Sequence, residues 1–154
     1  MINIPEITNT MAQPFAGIRF TIPRSEIQTV MGPGINEVMA AIEAQGSSPI
    51  GPWFTHHFKM DPATFDFEIC VPIGAPIAAI GRVFCGEKPA LKVVRTIYQG
   101  PYEGLGGAWG EFGGWITANG HVTGLDLYEC YQVGPESGPD PAQWRTELSR
   151  PLIG

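Results

Sequence analysis

Residues 124–135 read GLDLYECYQVGP, and residues 51–58 read GPWFTHHF. A strand alternates its side chains with a period of two. In the first stretch Leu125, Leu127, Glu129 and Tyr131 therefore share one face, and Asp126, Tyr128 and Cys130 the other. A carboxylate thus points the way the leucines point. Removing it from water is costly unless a partner compensates, and that partner is supplied either by the chain or by a ligand.

Aligning the two stretches sets His56 opposite Glu129 and Phe58 opposite Tyr131, and the match extends outward as an internal repeat. TVMGP (29–33) is echoed by IYQGP (97–101). FEICVPI (67–73) is echoed by TELSRPL (146–152), matching Glu68 with Glu147, Pro72 with Pro151 and Ile73 with Leu152. Each half then reads strand, helix, strand, strand. The first half comprises EIQTV, a helix over 35–45 ended by Gly46, PWFTHHFKM and FDFEICVPI. The second comprises LKVVRTIYQ, a helix over 105–118 closed by Asn119-Gly120, GLDLYECYQV and a last strand in WRTELSRPL. Ile35, Val38, Met39 and Ile42 make one buried stripe, and Leu105, Ala108, Trp109, Phe112, Trp115 and Ile116 make another, with Trp109 and Trp115 packed on the sheet. Glycines at 106, 107, 110 and 113 each cost about 1 kcal/mol against alanine, so they either weaken the second helix or mark close backbone packing. The first helix reads as about a turn shorter than the second.

The expected fold class is α+β, as two tandem strand-helix-strand-strand modules related by a pseudo-twofold. Helices pack on one face of antiparallel sheets, and the other face, at the seam between the modules, forms a ligand cleft. One domain spans 1–154, with module one over about 15–75, a crossover over about 76–88 and module two over about 89–153. The Pro- and Gly-rich stretch 133–142 reads as a surface loop.

Composition narrows the partners. At 154 residues the chain supports one hydrophobic core, and 44% hydrophobic against 16% charged residues excludes disorder. A formal net charge of −6 with no Lys/Arg cluster disfavours direct nucleic-acid binding. The longest apolar run, VPIGAPIAAIG, is too short and too rich in Pro and Gly to span a bilayer. Three cysteines form no CxxC pair, and MINIPEITNT is not a secretory leader, so a cytoplasmic protein with reduced thiols is expected.

YQGPYEGLGGAWGEFGGWI (98–116), ANG (118–120), LYECYQVGP (127–135) and RTELSRPL (145–152) together resemble the GyrI-like small-molecule-binding domain. That family includes effector-binding domains of multidrug-responsive bacterial transcription regulators. GSSPIGPWFTHHF and DFEICVPI resemble its first half, so the likeness spans roughly residues 15–153. The resemblance implies two related modules with an aromatic-lined cleft, in which the Glu of a Glu-x-Tyr strand pairs with lipophilic cations. Glu129 and Tyr131 match that pair. It also implies a stand-alone form, since the family's regulators attach a helix-turn-helix module that is not expected here.

The expected function is binding, as effector or by sequestration, of lipophilic compounds that are cationic or polar-aromatic. Glu129, Tyr131, His56, Phe54, Phe58, Leu127 and Tyr102 are the ligand-binding candidates. His56 is expected to face the same seam as Glu129. No cofactor, metal, membrane or nucleic-acid partner is expected, and the chain reads as a monomer or homodimer. His56 and His57 are adjacent in a strand, so they cannot jointly hold one metal. An enzyme is the less favoured alternative: by family resemblance, a hydrolase of cyclopropane-bearing or similar aromatic toxins, with Glu129, Tyr131 or His56 catalytic. A topoisomerase-inhibitor-type interaction protein is a further alternative. Glu68 and Glu147 read as solvated or salt-bridged, and Cys130 as a small core residue.

Overall fold

The structure, a computed structural model, describes residues 2–59, 61–134 and 138–153. The chain divides into two compact units, one made of residues 11–90 and the other of residues 1–10 with 91–154.

In the unit of residues 11–90, β2 (Gln13–Pro23), β3 (Phe54–His57), β4 (Thr64–Pro72) and β5 (Phe84–Lys88) form antiparallel neighbours in the order β5-β2-β4-β3. Helix α1 (Ile27–Ala44) covers one face. The ladder pairs Thr55 with Ile69 and His57 with Phe67, and Phe67, Ile69 and Val71 pack with Val38, Ala41 and Ile42 of α1. Burying Val38 and Ile42 stabilises by about 1.5–3 kcal/mol each. The alternate residues His56, Glu68 and Cys70 therefore lie on the face away from α1.

The other unit also has four strands and one long helix, but its extra strand comes first in the chain, as β1 (Glu6–Thr10), where that of residues 11–90 comes last, as β5. β1, β6 (Leu91–Gln99), β7 (Leu127–Val133) and β8 (Arg145–Pro151) run antiparallel in the order β1-β6-β8-β7, and α2 (Leu105–Ala118) covers one face. Phe112, Ala108 and Ile116 of α2 pack with Val94, Tyr98 and Leu148, and Leu105, Trp109 and Trp115 flank them. α+β class, antiparallel pairing and the extents of α2 and β6 agree with the sequence.

Several expectations are corrected. EIQTV is helical: a short 3-10 turn (Arg24–Glu26) leads into α1, which is 18 residues long against 14 for α2. Ile27, Val30, Met31 and Ile35 pack toward the core at helical spacing, which overrides the strand-like look of the run and accommodates Pro33 inside the helix. The strand before α1 is β2, so Pro23 rather than Pro33 precedes the helix as Pro101 precedes α2. Met39 is 41% exposed, and Ala41 takes its place in the stripe. Residues 84–88, read as crossover, form β5. Residues near the amino terminus form β1, at the edge beside β6. Leu125 precedes β7 and is 77% exposed. Gly46 and Gly120 end the helices with φ of 71° and 74°, the left-handed geometry of a C-cap. Of the 133–142 loop, Pro141–Gln143 form a 3-10 turn while residues 135–137 lie outside the described residues. Met60, the end of the stretch PWFTHHFKM, also lies outside them.

Two glycines predict opposite outcomes. A Cβ on Gly17 in β2 would sit 2.6 Å from the Ile69 carbonyl oxygen, whereas one on Gly110 in α2 would meet nothing within 4 Å. Gly17→Ala is expected to destabilise by about 1–3 kcal/mol and Gly110→Ala to stabilise by about 1 kcal/mol, read from urea unfolding midpoints at constant m.

Candidate functional site

Leu127, Glu129 and Tyr131 alternate onto one side of β7. The ladder with β8 pairs Glu129 with Leu148 and Tyr131 with Thr146. Leu148 packs against α2, and residues opposite one another in an antiparallel ladder point to the same side. Glu129 is therefore on the α2-covered face of its sheet, not on the open face expected for it.

α2 supplies the first partner. Trp109, one turn before the buried Phe112 and 5.7 Å from it ring to ring, donates its indole Nε1–H to Glu129 Oε2 at 2.6 Å. Tyr131 donates its hydroxyl to Glu129 Oε1 at 2.6 Å. Hydrogen bonds to a charged acceptor are short and contribute about 1.5–3 kcal/mol net. Among the described residues these two neutral donors are the hydrogen-bond and ion-pair partners of the half-buried carboxylate. The chain orients Glu129 with both oxygens held, and among the described residues no cationic side chain pairs with it.

Tyr102 extends the aromatic surface. It lies in the 3-10 turn (Tyr102–Gly104) before α2 and meets Tyr131 edge to face at 5.9 Å. The Tyr98 hydroxyl fixes this turn by donating to the Pro101 carbonyl at 2.7 Å, and a side chain at Gly104 would run into that hydroxyl. The structure thus assembles Glu129, Tyr131, Tyr102 and the buried Leu127 within one unit. Trp109 belongs with them, although its spacing alone assigns it to the core. The signal for it was chemical: a buried indole N–H needs an acceptor, and Glu129 needed a donor.

His56, Phe54 and Phe58 belong to the other unit and have partners there. His56 pairs in register with Glu68, with Nδ1 3.3 Å from Oε1. The expected match of His56 with Glu129 is one residue out of step. If Glu68 corresponds to Glu147, then His56 corresponds to Cys130, which pairs with Glu147. A slip of one residue turns a side chain to the opposite face, so His56 points away from its unit's helix while Glu129 points toward its own. The ring of Phe58 lies 4.5 Å from His56 and 4.1 Å below the Arg19 guanidinium, which also forks onto Asp66. Phe54 is buried edge-on to Phe15. Glu147 contacts Arg95 at 3.8 Å and accepts from Gln132, in line with the salt-bridged role expected for it.

A groove of about 440 Å³ does exist in the unit of residues 1–10 and 91–154, but not at Glu129. Glu6, Arg95, Gln132 and Glu147 line it on the face away from α2, and they satisfy one another. Among the described residues no three His, Cys, Asp or Glu side chains group to hold a metal, and no helix is long and apolar enough to cross a membrane.

The profile of the GyrI-like small molecule binding domain matches residues 5–153, and the chain belongs to that family. The crystal structure of the EcmrR C-terminal domain superposes with a TM-score of 0.88 at 23% identity, over 99% of this chain and 98% of that one. EcmrR in its DNA complex superposes at 0.86 and 24% identity, over 96% of this chain and 56% of that one. This chain thus spans little more than half the length of that EcmrR chain. SAV2435 bound to tetraphenylphosphonium gives 0.72 at 16% identity, over 97% and 94%. A hydrolase from Listeria innocua gives 0.66 at 12%, over 97% and 91%. No curated protein sequence matches the chain. At these identities the structural likeness is one of fold.

Cys70 is buried, and burial first, then the neighbouring Glu68, pushes its thiol well above the usual range. A raised value means the stability from keeping this thiol neutral is full below the unfolded thiol value of about 8.5 and is lost as pH climbs past it. Between about pH 8 and pH 10 the wild type should lose more stability than Cys70→Ala, read by urea unfolding. In the native protein a thiol-reactive dye should label Cys85 and Cys130 before Cys70.

Proposed function

We propose that this GyrI-like domain binds lipophilic small molecules that carry a positive charge or a polar aromatic system, with Glu129 as the anchoring carboxylate. The supporting observation is that Glu129 is held by an indole and a phenol, both neutral, so its charge is left for a ligand to meet. Half-buried Tyr102 supplies aromatic surface nearby, buried Tyr131 and Leu127 form the apolar backing on the same strand face, and Trp109 orients the carboxylate. Cation–π attraction adds about 0.5–2 kcal/mol per well-placed ring, and apolar burial about 25 cal/mol per Å². The complex of SAV2435 with tetraphenylphosphonium is consistent with a lipophilic cation as ligand class for this fold. Three free cysteines fit a reducing cytoplasm as the place of action.

The test is calorimetric binding of tetraphenylphosphonium and of its same-shaped anion, tetraphenylborate. The wild type should prefer the cation. Glu129→Gln, which keeps the volume and removes the charge, should weaken cation binding by about 10- to 100-fold. Equal affinity for cation and anion in the wild type would remove the carboxylate from the account.

A second reading is hydrolysis, favoured by the likeness to the Listeria innocua hydrolase. Glu129, poised by Tyr131, would then activate a water against an aromatic cyclopropane-bearing substrate. Release of ring-opened product by the wild type and its loss in Glu129→Gln would support this; binding without product would leave the binding role.

A further inference from the structure

Trp144, immediately before β8, is not among the residues the sequence nominates. Its ring lies 4.9 Å from Tyr102 at a 38° tilt. Tyr102 in turn meets Tyr131, and the Tyr131 hydroxyl holds Glu129. A continuous run of rings therefore leads from Trp144 to the carboxylate.

Trp144 is also pinned. Its indole Nε1–H donates to the Gly138 carbonyl at 3.1 Å, its backbone N–H donates to the Pro141 carbonyl, and its own carbonyl accepts from Gly100 N–H at 2.9 Å. The turn beneath it is fastened by Asp140, which accepts from Ala142 N–H, and by Gln99, which donates to the Ala142 carbonyl. Yet Trp144 and Tyr102 are only half-buried. A large ring held rigid but left partly open loses little conformational entropy when a ligand packs on it, which is how aromatic residues contribute to binding surfaces.

Resting on the Glu129 proposal, we infer that Trp144 is a specificity-determining residue of the same site. It forms an outer aromatic wall, reached across Tyr102, that favours cations bearing several aromatic arms over compact ones. A compact cation meets Glu129 and the nearest rings alone. A tetra-aryl cation centred at the same carboxylate carries an arm outward over Tyr102 to the Trp144 indole.

Affinities of tetraphenylphosphonium and phenyltrimethylammonium, measured by calorimetry on the full chain, separate the cases. Trp144→Ala should weaken tetraphenylphosphonium about 10-fold and phenyltrimethylammonium less than about 2-fold, and Trp144→Phe should restore most of the loss. Thermal melts followed by circular dichroism report folding. Trp144→Leu, which keeps apolar volume without a ring, carries the comparison should the alanine variant unfold. Equal weakening of both cations would make Trp144 a purely structural pin, and no weakening of either would also overturn the inference. Glu129→Gln should weaken both cations. If it changes neither while the Trp144 variants still discriminate, the carboxylate proposal falls and the wall stands. If the wild type binds neither cation, both fall.

Discussion

Antiparallel pairing of β7 with β8 sets Glu129 across from Leu148, and because Leu148 packs under α2 the carboxylate is turned toward the covered side of its sheet. Its immediate chemistry follows from that register. The side of α2 that buries Phe112 also delivers the Trp109 indole, and the period of two along β7 delivers the Tyr131 hydroxyl. Shifting the ladder by one residue would turn Glu129 to the other face and bring Cys130 under the helix. The apolar packing of one unit and the polar geometry of the candidate site are thus a single constraint.

Glu68, on the face away from α1, and Glu129, on the face covered by α2, are handled differently. Glu68 is buried beside His56, a group able to carry a compensating charge, and the neighbouring Arg19 is committed to Asp66 and to the ring of Phe58. Glu129 has neutral partners only among the described residues. A carboxylate fixed by neutral donors keeps its orientation without cancelling its charge, which is the ground of the proposed cationic ligand. That contrast, rather than any overall acidity, singles out Glu129.

Membership of the GyrI-like family gives the domain a small-molecule-binding fold. The likeness to the EcmrR C-terminal domain and to SAV2435 concerns the fold, and a fold by itself does not fix the choice of ligand. Trp109 beside Glu129 and Trp144 beside Tyr102 are the two indoles of the proposed site. Both are tied down by indole hydrogen bonds.

Local pattern carried far in this chain. The alternation of β6, the three-to-four spacing of α2, the glycine stops at Gly46 and Gly120, and the placing of Glu129 and Tyr131 on one face of a strand all follow from residue periodicity and turn chemistry. So did the family resemblance, whose motifs lie in those same segments. What local pattern did not decide was pairing. Glu26–Val30 is a run short enough to suit a strand or a helix, and packing of Ile27 and Val30 against the core cluster of this unit goes with the helical form. β1 and β5 are edge strands whose sequences show little alternation, so their existence depends on the neighbours that accept their hydrogen bonds. The His56–Glu68 pair, the helix-facing side of Glu129 and the indoles that frame it depend on ladder register and on where a helix lands. Register is set by side chains far apart in the chain meeting in one core, and that is information no single stretch of sequence contains.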